Sequence, residues 1–252
     1  MEAVFTPENL IALFTLTVLE LVLGVDNIIF LAIVTQDVPL DKRERVRKLG
    51  LGLAWIGRIA MVLGVTWPLG LDQTLFELIG RDFSIKDVIL LAGGLFLTYK
   101  AVTEIFKATE LKEHDTDAAR AEVKPSMAGL AGVIAQVVAI DMVFAIDSVL
   151  TAVGLTSETW IIVVAMTIAI LAMVFFATPL ADFIENHPSI KMLALTFLVL
   201  VGVLLIAEGF GQEFDRNYVY FAIIFSLGVE ALNFRRQANL ERRQKTTSPT
   251  GV

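Results

Sequence analysis

The sequence predicts an all-α polytopic membrane protein with seven transmembrane helices, arranged as a 3+3 inverted repeat plus one extra helix. Three observations predict it. Of 252 residues, 56% are hydrophobic and only 19% charged, whereas a soluble domain is about 45–50% apolar and about 25% charged. The apolar residues gather into seven long runs. A pair of acids recurs at one spacing in the first and the fourth run.

The runs fall at 9–35, 49–71, 87–106, 127–155, 160–181, 190–211 and 217–234. Each approaches or exceeds the roughly 20 residues that cross about 30 Å of hydrocarbon as a helix. The third, at 87–106, is interrupted by Gly93, Gly94 and Lys100. Basic residues set the orientation. Segments 36–48, 107–126, the turn near 182–191 and the tail after 234 hold fifteen lysines and arginines, against three (Arg81, Lys86 and Arg216) in the alternate connections. That asymmetry predicts an outside N-terminus, a cytoplasmic C-terminus and an odd number of spans. The stretch 107–126 reads as a solvated linker. The basic tail 237–252 reads as disordered and able to touch anionic lipid.

Composition excludes several functions. There is no cysteine, so disulfides, zinc-thiolate sites, iron–sulfur clusters and cysteine nucleophiles are out. The two histidines, His114 and His187, lie in polar stretches. The net charge of −7 argues against a nucleic-acid partner. No phosphate loop, no His-Glu-x-x-His motif and no lysine in the last run occur. ATP motors, metalloproteases and retinal photoreceptors are therefore set aside, and no enzymatic activity is expected. No cleaved signal peptide is expected either, since Met1–Pro7 lack a basic region.

The internal repeat carries the chemistry. Run 1 contains Glu20-Leu-Val-Leu-Gly-Val-Asp26-Asn27, and run 4 contains Asp141-Met-Val-Phe-Ala-Ile-Asp147-Ser148. Pro68-Leu69 closes run 2 as Pro179-Leu180 closes run 5, and Gly94 and Lys100 in run 3 are spaced as Gly202 and Glu208 in run 6. Because three spans is an odd number, the second triplet enters from the opposite side. One repeat covers about 8–106 and the other about 127–211, with a seventh helix at about 217–234, all in one domain spanning 1–236. Inverted repeats of this kind recur in transporters, with the binding site near the midplane.

A carboxylate in hydrocarbon costs at least about 2.5–3.5 kcal/mol. Four of them call for pairing, protonation, hydration or a bound cation. Residues i and i+6 on a helix lie about 120° apart, while i and i+7 nearly share a face. Glu20 therefore aligns with Asn27, and Asp141 with Ser148. With antiparallel packing, Glu20 is expected level with Asp147, and Asp26 with Asp141. Gly24 would let run 1 break and draw its acids together. Carboxylate, amide and hydroxyl oxygens suit hard divalent cations, Mg²⁺, Mn²⁺ or Ca²⁺. The candidate metal ligands are Glu20, Asp26, Asn27, Asp141, Asp147 and Ser148.

Further polar residues inside the runs are candidate gate or charge partners. Arg58 either neutralises an acid of the site or snorkels to the interface. Lys100 and Glu104 form either a gate or a surface pair. Gln136 offers another oxygen, Glu208 an outer entrance, and Glu230 an acid within run 7. Gly50, Gly57 and Gly64, seven residues apart, suit close helix packing.

Leu19-Glu20 through Ile28, Gly93-Gly94-Leu-Phe-Leu-Thr-Tyr-Lys100 and Asp141 through Val149 resemble the motifs of the TerC family of bacterial integral membrane proteins, related to the LysE-like exporters. The likeness covers about residues 8–236. It implies a multi-pass protein of the bacterial inner membrane, with the six ligands above at the family's acidic motif positions. It further implies Mn²⁺ export or metal supply to secreted enzymes, and a link to tellurite resistance. No appended cystathionine-synthase-type domain is expected after residue 240. The expected partners are the lipid bilayer, a divalent metal ion as substrate and protons as coupling ion, with no permanent cofactor. A non-transporting accessory protein in a metal-dependent stress response, or in metal supply, is the alternative. Oligomeric state, transport direction and the ion's identity stay open at the level of residues alone.

Overall fold

The computed structural model describes residues 6–64, 74–78, 80–110, 127–212, 214 and 217–247. Seven α-helices occupy them: α1 (Pro7–Val34), α2 (Leu40–Leu63), α3 (Ile85–Glu110), α4 (Met127–Leu155), α5 (Thr159–Asn186), α6 (Pro188–Gly209) and α7 (Asn217–Thr247). A two-stranded antiparallel hairpin, β1 (Thr74–Leu78) and β2 (Arg81–Ser84), precedes α3. Among the described residues α1, α3, α4, α5 and α6 are long and apolar enough to cross a membrane, while α2 and α7 carry the basic clusters at 42–48 and 235–245.

Each helix matches one predicted run, with instructive shifts at the ends. Thr6 opens α1 by accepting a hydrogen bond from the Asn9 amide at 3.3 Å, with Pro7 next in line, a start that satisfies a free N–H where proline costs nothing. The segment 36–48, expected as a loop, is one only to Pro39. Helix α2 begins at Leu40, because Lys, Arg, Glu and Leu all favour helix and Asp41 complements its positive end. Pro179 does not close α5, which continues to Asn186. One proline removes a single backbone bond and bends a helix without ending it when the flanking residues still pack. Ala177 and Ala181 on either side are buried. The tail expected to be disordered from 237 is helical to Thr247. Residues 237–247 contain neither Gly nor Pro and are rich in Ala, Leu, Glu, Gln, Arg and Lys, so helix propensity outweighs charge there. Pro68-Leu69 and His114 lie outside the described residues.

The hairpin is an addition to the all-α expectation. It turns at Gly80, whose φ of +72° suits glycine alone at little cost. Phe76 stacks on Phe83 at 5.5 Å, and Phe83 meets Phe210 edge-on at 6.2 Å, so the hairpin covers the end of α6. Ser84 and Asp87 then form a reciprocal cap: the Ser84 amide donates to Asp87 Oδ2 at 2.8 Å and the Asp87 amide to Ser84 Oγ at 3.1 Å.

Packing follows the repeat. Helix α1 packs chiefly on α5, α2 on α4, and α3 on α6. The first helix of each half thus lies on the second of the other, and the third on the third, a reciprocity that fits the repeat read from the sequence. The α3–α6 crossing is set by the equivalent glycines Gly94 and Gly202. A Cβ on Gly94 would lie 2.6 Å from the Gly202 carbonyl oxygen, and one on Gly202 would run into the Thr98 hydroxyl. Gly50 and Gly57 admit Val137 and Met142 of α4 in the same way, whereas Gly64 caps α2. Large apolar side chains such as Phe14, Leu171, Phe175 and Phe221 are exposed at the periphery, as lipid-facing residues are.

Because the α3–α6 crossing has no room for a methyl group, Gly202→Ala is expected to destabilise the folded protein by about 1–3 kcal/mol. Gly132→Ala, with open space around its Cα, is expected to leave the melting temperature in detergent unchanged or slightly raised. Equal melting temperatures for the two variants would contradict the close crossing.

Candidate functional site

Two faces and one cation build the site. On α1, Glu20 and Asn27 lie two turns apart and are 1% and 6% exposed; on α4, Asp141 and Ser148 repeat the spacing at 3% and 2%. The predicted pairing of i with i+7 positions on one face is what the structure has. Between the faces lies Arg58, the largest fully buried side chain among the described residues. The close approach of α2 to α4 at Gly50 and Gly57 carries its guanidinium to the middle of the bundle.

The guanidinium holds Asp141 with a two-pronged grip. Its Nε donates to Oδ2 at 2.9 Å and its Nη2 to Oδ1 at 2.8 Å. Its Nη1 donates to Glu20 Oε2 at 2.7 Å and, more distantly, to Ser148 Oγ at 3.4 Å. Asn27 Nδ2 donates to Asp141 Oδ1 at 3.0 Å. Paired planar groups of this kind make strong, orientation-specific bonds. Away from water each charge would otherwise cost several kcal/mol. Arg58 is thus the neutralising partner, the first of its two sequence readings. Two carboxylates against one guanidinium leave a formal charge of −1. The Glu20 Oε1 and Asn27 Oδ1 oxygens are buried with no hydrogen-bond partner.

Asp26 belongs elsewhere. It is half-buried and borders a cavity of about 40 Å³ together with Leu23, Arg58, Phe144, Ser148 and Glu208. That volume holds a water or a small, partly dehydrated ion, since about 10–15 Å³ suffices for one water. The expected register of α1 against α4 fits, since Asn27 bonds Asp141 and Arg58 Nη1 reaches both Glu20 and Ser148; what differs is which side chains turn inward. Glu20 and Asp141 are linked to each other through Arg58, and Asn27 rather than Asp26 reaches Asp141. The cause is the 120° between positions i and i+6 in an unbroken helix: α1 runs straight through Gly24, which Met173 packs against. Among the described residues no three His, Cys, Asp or Glu converge on a metal position. The side chain of Asp147 lies outside the described residues.

The other candidates separate by place. Glu208 lines the cavity with Asp26. Glu104 is buried near the end of α3, accepts from Lys107 at 2.8 Å and lies 3.5 Å from Lys100, a charge cluster local to one helix. Gln136 is half-buried on α4, about 140° around the helix from Asp141. Glu230 on α7 accepts from Asn233 of its own helix at 3.2 Å. One ionic cluster was not foreseen. Arg43 bonds Glu185 at 2.6 Å, while Arg47 donates to Thr35 Oγ1 at 2.9 Å and lies 3.6 Å from Asp182. It ties the α1–α2 connection to the end of α5. Its signal was the i, i+4 spacing of the arginines and the i, i+3 spacing of the acids, each pair on one helix face.

Comparisons with known proteins agree with the architecture. A family model described as "Integral membrane protein TerC family" matches residues 5–245. The chain is 43% identical over 230 residues to the UPF0053 inner membrane protein YgdQ of Escherichia coli K12, covering 91% of this chain and 94% of that protein. It is 42% identical over 234 residues to a UPF0053 protein of Haemophilus influenzae, covering 93% and 97%. It is 37% identical over 246 residues to the UPF0053 inner membrane protein YoaE of E. coli K12, covering 98% of this chain but 46% of that longer protein. No solved structure matches.

Since removing one partner of a buried ion pair strands the other, Asp141→Ala is expected to cost about 3–5 kcal/mol of stability. Glu230→Gln is expected to stay within about 0.5 kcal/mol of the parent. Thermal unfolding followed by tryptophan fluorescence in detergent distinguishes the two; an Asp141→Ala protein as stable as the parent would mean the guanidinium is not held as described.

Proposed function

The chain belongs to the TerC family of integral membrane proteins, and on that footing we propose that it moves a divalent metal cation, Mn²⁺ foremost, across the bacterial inner membrane. The observation that carries this reading is the meeting of oxygen-bearing side chains from the two halves, Glu20 and Asn27 with Asp141 and Ser148, at mid-bundle around a positive group. A position that accommodates a guanidinium between two carboxylates is electrostatically a cation position. Oxygen donors without thiolate or imidazole favour hard ions. The cavity beside it, with Asp26 and Glu208 on its wall, gives such an ion carboxylates on its way to the centre.

Asp26, Asp147 and Glu208 serve in this reading as carboxylates of the ion path, with Asn27 and Ser148 supplying neutral oxygens. The excess of basic residues at 36–48, 107–126 and the tail supports a cytoplasmic C-terminus. Release to the outside is the direction the family resemblance implies. Carboxylates at such depth exchange a metal for protons without leaving a bare charge behind, so proton counter-transport is the coupling that fits. The second reading, a membrane accessory protein that binds an ion and transports none, draws on the absence of three converging ligands among the described residues.

Purified protein in liposomes is expected to carry Mn²⁺ down a gradient, with luminal pH changing in step. Asp26→Asn and Asp147→Asn are each expected to slow that flux about tenfold or more. Full flux in both variants would remove these acids from the path, and stoichiometric Mn²⁺ binding without any flux would favour the accessory role.

A further inference from the structure

We infer that Arg58 is a resident counter-cation of the transport site, holding Glu20 and Asp141 when no metal is present and yielding them when a divalent ion arrives; the inference rests on the divalent-cation reading. Three features of the site carry it. The place between the two halves' acids is already filled by the protein's own positive charge, through three bonds of 2.7–2.9 Å. The filling is incomplete, for Glu20 Oε1 and Asn27 Oδ1 are buried acceptors with nothing to accept from. Such orphan oxygens are costly when left dry, and both are of the kind a hard cation takes. The guanidinium also borders the cavity that Asp26 lines, so an ion entering there meets Arg58 directly.

Repeat symmetry sharpens the point. The Pro68/Pro179 correspondence pairs Arg58 on α2 with Ala169 on α5. Ala169 is buried, and α5 contains no lysine or arginine at all. The acids are duplicated by the repeat but their neutralising cation is not. One guanidinium serves two carboxylates, leaving −1; exchange for a doubly charged ion brings the pair to zero. Guanidinium and divalent ion together would carry +3 against −2, so they compete for the place rather than share it.

A selectivity consequence follows from the same charge count. A monovalent ion offers Glu20 and Asp141 no more charge than the guanidinium does, and it forfeits the two-pronged hydrogen bonding. A divalent ion doubles the charge. Arg58 therefore excludes Na⁺ and K⁺ from the site and admits Mn²⁺-like ions, at some loss of affinity for the latter.

The test is Mn²⁺ binding to the purified full chain, read from the free-ion electron paramagnetic resonance signal, in sodium chloride and in choline chloride at equal ionic strength. The parent protein is expected to bind with the same affinity in both salts. Arg58→Gln is expected to bind about tenfold tighter in choline and to lose that gain in sodium, because removing an internal competitor exposes the bare acids. Arg58→Lys keeps the charge but not the fork. It is expected to fall between the two in affinity while remaining indifferent to sodium, and it preserves the test if Arg58→Gln does not elute as a monodisperse protein. Unchanged or weaker Mn²⁺ binding in Arg58→Lys and in folded Arg58→Gln, with the parent binding normally, overturns the displacement role alone. Absence of Mn²⁺ binding in folded parent and variants alike overturns the divalent-cation reading on which it stands.

Discussion

Charge in the middle of a bilayer must be answered by charge, and in this protein the answer is one arginine. The Arg58 guanidinium bonds an acid from each half of the repeat, and the arrangement of α1, α2 and α4 around it is a condition of that contact. Without Arg58, Glu20 and Asp141 would be two buried acids left to take up protons, water or another cation. Without the acids, the guanidinium would be an unpaired buried charge. The three residues therefore depend on one another, and their mutual reach fixes how closely three helices from two halves can stand.

That reach is controlled by small residues far from any charge. Gly50 and Gly57 let α2 settle against Val137 and Met142 of α4, and Gly94 and Gly202 bring α3 and α6 to backbone contact. Between helices in lipid there is little hydrophobic drive, so close van der Waals packing does much of the holding. The same glycines thus have an electrostatic effect. A wider α2–α4 separation would lengthen the bonds from Arg58 Nε and Nη2 to Asp141, now 2.9 and 2.8 Å, and leave charge unpaired.

The sequence was informative where helical periodicity or buried charge spoke. Seven apolar runs located seven helices, and the i, i+7 relation correctly put Glu20 with Asn27 and Asp141 with Ser148 on buried faces. It was less informative where distance between helices decided. Whether Arg58 turns inward or snorkels depends on the α2–α4 approach, and nothing in residues 49–71 alone measures that. The expected level of Asp26 with Asp141 fits the Asn27–Asp141 bond one residue along, but level along the axis is not the same as direction around it, and Asn27 holds the inward direction. The hairpin at 74–84 was hidden because its strands are short and its order comes from Phe76, Phe83 and Phe210 meeting across separate elements. The helical end of α7 was hidden because a charged, polar composition suits a solvated helix as well as a disordered tail.

The two halves pack reciprocally but differ in chemistry, and the difference is informative. A fully symmetric protein would bring either two cations or none to its central acids. Two would give a neutral, saturated cluster with no reason to admit an ion; none would leave two bare carboxylates that the bilayer penalises severely. Arg58 in one half, with Ala169 at the corresponding position of the other, gives the intermediate case, one charge short at the centre. The ends differ as well. At one, Arg43 and Arg47 bind Glu185, Asp182 and Thr35 across the helix connections. Toward the other, where α6 gives way to α7, the cavity of Asp26 reaches Glu208 and Val219. Bonded across its connections toward one end, with a small cavity toward the other and one charge short at its centre, the molecule has ends that differ, as the proposed cation movement would require.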